Sequence, residues 1–340
     1  MPSHGGSDAR YGGSPTVYEY AILQLGNYLI PATILLVLAL GLDLQWGKTG
    51  LFNAGVAAFF GVGAYVFALL STGRAYPSGT SPGHWGPAIP IDLIPATLVA
   101  MVAAGALGVL IAIPTLRLRA DYLAIATLAL AEIVRLFLKN ERRITGGDTA
   151  VNLIPRPFDT LISRGWTSDG VFILVAAVIA VGVLIAIEFV SSLPWGRALR
   201  AVREDEEAAQ ALGKDTFRLK LTSFGLGCAI MGLAGALEAS YLGNIVPDIF
   251  VPALTFNAFV VVILGGSGNP RGVVLGAYVF SLLGWGTQQA RVYVAAASEV
   301  LAFRLDYVNN IVVGLLLVLF ILFRPEGIIP EKKYVPKAKD

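Results

Sequence analysis

Six cations and five carboxylates crowd one stretch of an otherwise apolar chain. Arg197, Arg200, Arg203, Lys214, Arg218 and Lys220 stand against Glu204, Asp205, Glu206, Glu207 and Asp215 within residues 194–220. No nucleophile, general base or metal-ligand set accompanies them, so the chemistry on offer is charge-assisted hydrogen bonding, the kind that docks one protein on another. Leu199, Val202, Ala209 and Leu212 recur among the charges at roughly helical spacing, which predicts a short amphipathic helix with an apolar side to bury and a charged side to present. A solvated helix that merely links two membrane segments would carry the same pattern.

Other motifs with chemical potential are weaker. Glu132 and Arg135 lie three residues apart in an apolar run, and so share one helix face. A charge inserted at the bilayer centre costs on the order of 3 kcal/mol, so this pair either satisfies itself near a span end or lines a translocation path. Asn53 and Asn257 are softer candidates for path contacts, each equally able to bond between helices. Gly41 to Thr49 (GLDLQWGKT) looks like a phosphate-binding loop, but the spacing between its glycines is one residue too long and no strand precedes it. His4 and His84 lie in polar segments without a ligand partner, and the single cysteine, Cys228, sits in an apolar run. Catalytic residues, a metal site and a cofactor are therefore not expected.

The elements that must position these residues are membrane spans. The chain is 56% hydrophobic and only 14% charged, against roughly 25% charged for a soluble domain. A net charge of +2 with no basic stretch interleaved with aromatics gives no case for nucleic acid. Apolar runs near the ~20 residues a span needs occur at 21–42, 49–73, 93–116, 122–138, 170–187, 221–237, 249–270, 272–290 and 307–323. The expected fold is an all-α polytopic bundle of about nine spans, within a range of eight to eleven, carrying one cytoplasmic amphipathic helix, which the resemblance described below makes a coupling helix. Residues 1–18 read as a disordered polar extension, 19–325 as the membrane domain with its polar loop at 191–220, and 326–340 as a basic cytoplasmic tail. Lys and Arg counts put the 191–220 loop, Lys48 and the C-terminal tail on the cytoplasmic side, although the basic 139–169 loop then falls outside. Trp46, Trp85, Trp166 and Trp195 fall near span ends, as interfacial anchors do.

Two seams of small residues, Cys228, Gly232, Ala236 and Ser240 in one span and Ala104, Gly108 and Ala112 in another, mark close helix packing within the chain. Gly63 to Leu70 (GAYVFALL) and Gly276 to Leu283 (GAYVFSLL) match at seven of eight positions, either as an internal repeat or as a coincidence of a narrow alphabet.

Glu207-Ala208-Ala209-x-x-x-Gly213, followed by another span, is similar to the front half of the EAA loop of ABC importer permeases. Further segments extend the resemblance, among them Leu44-Gln45-Trp46-Gly47, Asp121-Tyr122-Leu123-Ala124, Glu132-Ile133-Val134-Arg135, Pro194 to Asp205 (PWGRALRAVRED) and Phe323-Arg324-Pro325-x-Gly327. From about Ala39 to Pro330 the chain resembles the LivM-type permease subunit of branched-chain amino-acid ABC importers. It departs where Val56 stands in place of the family's usual histidine and in its N-terminal extension.

The resemblance implies a plasma-membrane permease without its own ATP hydrolysis. Its partners would be a second homologous permease, two cytoplasmic ATPases and an extracytoplasmic solute-binding protein, and its substrate a branched-chain or other neutral amino acid. It further implies ATPase coupling through residues 194–213, on Arg197, Arg200, Arg203, Glu204, Glu207, Ala208, Ala209 and Gly213. A urea or short-chain amide importer uses very similar subunits and remains an alternative, as does an ion-coupled secondary transporter working through Glu132.

Overall fold

The computed structural model describes residues 17–75, 93–118, 120–148, 150–157 and 166–295, with further positions between 311 and 331 that include 322–324 and 326–331. Residues 1–16 of the extension expected at 1–18, with His4, and His84, Trp85, most of the 307–323 run and the tail beyond 331 lie outside the described residues, while Val17 and Tyr18 of that extension are helical.

The described residues are almost entirely helical. In chain order they form α1 (Val17–Leu42), a π-helical turn (Asp43–Gly47), α2 (Val56–Ala75), α3 (Leu93–Thr115), α4 (Ala120–Asn140), α5 (Arg142–Thr145) and β1 (Val151–Asn152). Then follow α6 (Trp166–Ser192), α7 (Pro194–Glu204), α8 (Glu206–Ala211), α9 (Thr216–Leu242), β2 (Asn244–Ile245), a 3-10 turn (Pro247–Ile249), α10 (Pro252–Gly265) and α11 (Pro270–Ala295). Among the described residues five helical stretches are long and apolar enough to cross a membrane, and α2 is a shorter apolar helix.

The bundle is built around α9, which packs on α1, α2 and α3. The two small-residue seams meet each other there. Ala104 of α3 faces Gly232 of α9, and a Cβ added at Gly108 would stand 2.6 Å from the Cys228 Cβ. On the other side of α9, Gly63 of α2 lies against the Gly232 backbone, a contact no larger residue fits. The seams are thus packing surfaces within the chain. The far sides of α3 and α6 carry exposed apolar residues such as Ile94, Leu110, Leu174 and Val178, as lipid-facing helix surfaces do.

One expected span is corrected. The run 49–73 is helical only from Val56 onward, and residues 50–55 form an irregular segment that folds back into the bundle. Gly50 holds a left-handed φ of 78°, and Gly55 sits against the Thr127 carbonyl of α4, where a Cβ would come within 2.6 Å of the oxygen. The backbone is bent by tertiary contact that hydropathy does not register. Its amides are met by both backbone and side chains: Gly50 N donates to Trp46 O at 3.0 Å, Ala54 N to Thr127 Oγ1 at 3.0 Å and Gly55 N to Asn53 Oδ1 at 2.8 Å.

Candidate functional site

The polar stretch predicted as one amphipathic helix forms two. Pro194 opens α7 at its first turn, where the missing amide hydrogen costs nothing. Asp205 then adopts an extended conformation and its Oδ1 accepts from Ala208 N at 2.9 Å, which ends α7 and starts α8. Gly213, at φ 76°, closes α8 in the left-handed region, with its N–H on the Gln210 carbonyl at 2.8 Å and Lys214 N on Ala209 O at 3.1 Å. Asp215 caps α9 through Arg218 N at 3.0 Å. Two aspartates within a short charged run compete for backbone amides, and that competition breaks the helix.

Leu199, Val202 and Ala209 are buried as their spacing requires. Leu212 is not: it is 79% exposed, because the left-handed turn that follows swings it off the apolar face. Arg197, Glu204, Asp205, Glu207, Ala208 and Leu212 together form the outward surface of the bend.

The arginines on the inward side are already engaged. Arg203 donates through Nη1 to the Gly47 carbonyl of the π-turn and through Nη2 to Glu331 Oε2 at 2.8 Å. Arg200 makes a long contact, 3.5 Å, to Ser191 O, and on the outward side Arg197 makes one of 3.4 Å to Ser192 O. Behind Arg203 lies a cluster that sequence reasoning missed. Asp43 Oδ1 accepts from Gly268 N at 2.7 Å, and Lys48 Nζ donates to Gly268 O while lying 3.7 Å from Glu331 Oε1. Burial pulls the Lys48 ammonium below the usual lysine range, against the opposing pull of Asp43 and Glu331. Residues 328–329 lie along the end of α10, with Ile328 N on Leu264 O at 2.9 Å and Ile329 N on Gly265 O at 3.0 Å. Bend, π-turn, the loop after α10 and the C-terminal segment are therefore clamped at one end of the bundle. The signal in the sequence was Asp43 and Lys48 at the end of an apolar run, where charges need partners.

Next to this clamp runs a buried polar seam. Gln45 Nε2 donates to the Phe224 carbonyl of α9 at 2.8 Å and to Cys228 Sγ at 3.3 Å, while its Oε1 accepts from Asn53 Nδ2 at 2.8 Å. Asn53 Oδ1 accepts from Gly55 N at 2.8 Å, so both ends of this predicted path residue are engaged inside the bundle. Thr49 and Ser223 hydroxyls pair at 2.6 Å beside it. Asn257 is half-buried on α10. Between the 49–52 segment, the start of α4 and the bend opens a cleft of about 300 Å³, with Leu118, Leu123, Phe52, Val202, Glu206 and Lys220 in its walls.

The predicted Glu132–Arg135 pair forms, with Nε to Oε2 at 3.0 Å and Nη2 to Oε1 at 2.5 Å. It stands at the opposite end of the bundle from the bend and recruits a third group. Arg135 Nη1 also bonds Asp248 Oδ1 at 2.9 Å, and Lys139 Nζ reaches Asp248 Oδ2 at 3.0 Å. Asp248 belongs to the 3-10 turn that leads into α10, so the cluster ties α4 to that turn. Hydrogen bonding to Asp248 holds the Lys139 ammonium above the ordinary lysine range.

Comparison with known proteins gives a consistent result. Residues 24–321 match the family described as the permease component of the branched-chain amino acid transport system. The chain is 34% identical to the high-affinity branched-chain amino acid transport system permease protein LivM of Escherichia coli K12, over 90% of this chain and 70% of that one. It is 28% identical to a probable LivM of Methanocaldococcus jannaschii, over 88% and 91% of the two chains. To the E. coli permease protein LivH it is 26% identical, over 94% and 99%. No solved structure matches.

Proposed function

This chain belongs to the family of branched-chain amino acid transport permeases, and on that premise we propose that it forms half of a transmembrane path for branched-chain or other neutral amino acids, driven by ATPases that grip its α7–α8 bend. The chain is a multi-pass membrane permease subunit. The rest of the assembly is a second homologous permease, two cytoplasmic ATPases and an extracytoplasmic solute-binding protein.

The observation that carries the coupling reading is Leu212, a large aliphatic side chain left 79% exposed at the end of the charged bend. An apolar knob with a charged rim is the anatomy of a docking surface rather than of a solvated linker. Arg197, Glu204, Glu207 and Ala208 make the rim that touches the ATPase. Ala209 and Gly213 shape the bend, while Arg200 and Arg203 act behind it as positioning residues, Arg203 linking the bend to the π-turn. A displacement of the bend is thereby passed to α1 and to the 50–55 segment. In the path itself, Glu132, Arg135 and Asn257 meet the substrate's route and Asn53 holds its floor.

The test is reconstitution of the complete complex in vesicles with its binding protein, followed by leucine uptake. Uptake that requires ATP and falls at least tenfold with Leu212→Asp or Glu207→Arg, together with loss of the ATPase on purification, supports the reading. Leucine uptake driven by an ion gradient in vesicles without ATPase would replace it with a secondary transporter. Urea uptake without leucine uptake would replace the substrate.

A further inference from the structure

The two ends of α4 face different tasks. Near its start, Thr127 bonds the irregular 50–55 segment, and eight residues later Arg135 is bound to the turn before α10. At 1.5 Å per residue that separation is about 12 Å along the helix. Between those points α4 packs on α2 and has little contact along α10. The floor between the two helices is the start of α2 and the 50–55 segment, whose Gly50 and Phe52 are exposed. Non-helical backbone at this position cannot face lipid, since its polar groups need protein or water. The trough is open at the coupling end, where Phe52 lines the cleft of about 300 Å³. At the far end it is crossed by the Glu132, Arg135, Lys139 and Asp248 ion cluster.

We propose that this cluster is both the outer gate of the path and the intake site for a zwitterionic amino acid. The proposal rests on the permease reading above. Across the junction between α4 and the turn the closure is made of Arg135, Lys139, Glu132 and Asp248, with Asp148 a further 3.7 Å from Lys139, and an amino acid's own carboxylate and ammonium can replace such groups. The incoming carboxylate takes the place of Asp248 on Arg135 and Lys139, and the incoming ammonium takes Asp248 or Glu132. The α4 side then parts from the 247–249 turn with no charge left unpaired. Asp248, with 58% of its side chain exposed, is open to a ligand arriving from that side, whereas Arg135 behind it is 19% exposed. A neutral molecule such as urea offers no ion to exchange and leaves the gate shut.

The experiment reads gate opening by the reactivity of Phe52→Cys toward a membrane-impermeant maleimide added on the side opposite the coupling bend, in the reconstituted complex. Cys228 is buried and serves as an internal background. Labelling from the coupling side confirms that the variant is folded, and Phe256→Cys, at a 49% exposed position on α10, provides a second probe. The gate predicts slow labelling with the cluster intact and at least tenfold faster labelling in Asp248→Asn. It also predicts acceleration of the intact protein by millimolar leucine and none by urea. Equal rates with and without Asp248→Asn, or equal acceleration by urea, overturns the proposal. A complex that shows the Asp248→Asn response yet takes up no leucine overturns the substrate reading and leaves the gate standing.

Discussion

The two ends of the bundle both carry ion clusters, and the difference between them is burial. At the coupling end, the Lys48 side chain is 7% exposed, and Arg203 and Glu331 are 25% and 21% exposed. At the far end Arg135 is 19% exposed, but its partners are open: Glu132 is 42%, Lys139 34% and Asp248 58% exposed. A buried ion set is costly to assemble but severe to break, because a lost partner leaves an uncompensated charge. An exposed one contributes ~0–1 kcal/mol, so a ligand can exchange with it. On the proposed reading, the first arrangement suits a joint moved as one piece by an ATPase. The second suits a closure that opens once per cycle.

The strongest test of that contrast is Lys48→Ala. It strands Asp43 and Glu331 against Arg203 alone, and is expected to cost about 3 kcal/mol, read as a lowered thermal midpoint of the purified complex. Replacing Lys48 and Asp43 together with Met and Leu should lose less than Lys48→Ala alone; a larger loss would mean that the charges themselves hold the joint. Gln45→Ala comes next, at about 2 kcal/mol, because it leaves the Asn53 amide and the Phe224 carbonyl buried without their partner. Lys139→Ala belongs below both, with the thermal midpoint little changed, because its ion pairs are exposed. An equal loss for Lys48→Ala and Lys139→Ala would break the comparison outright. Leu212→Asp should leave the thermal midpoint unmoved while removing the ATPase, since its side chain touches water in the isolated chain. A fall in stability there would show that Leu212 is a packing residue.

Hydropathy was enough to read an all-helical membrane bundle, because a span announces itself over some twenty residues. The charged bend was legible from the same contrast, as was the Glu132–Arg135 pair from its three-residue spacing. The break at Asp205 was present as a residue type yet invisible as an event, since an aspartate caps or continues a helix according to which conformation its neighbours allow. Asn53 was a reasonable path candidate by type, but its partner Gln45 and the fold of the 50–55 segment turn it inward. Asp248 carried no local signal at all, being one acid in a short turn between apolar segments.

By itself, then, the sequence determined the helical membrane bundle, the seams Ala104–Gly108 and Cys228–Gly232 on which its helices meet, and the position of the charged bend. All of these are encoded within single helices or by the spacing along them. The tertiary structure alone decided the clusters at the two ends, where Asp43 meets Gly268, Arg203 meets Glu331 and Arg135 meets Asp248 across 113 residues or more. A charge's partner depends on where the helices finally stand, and that is fixed by the packing of the whole bundle.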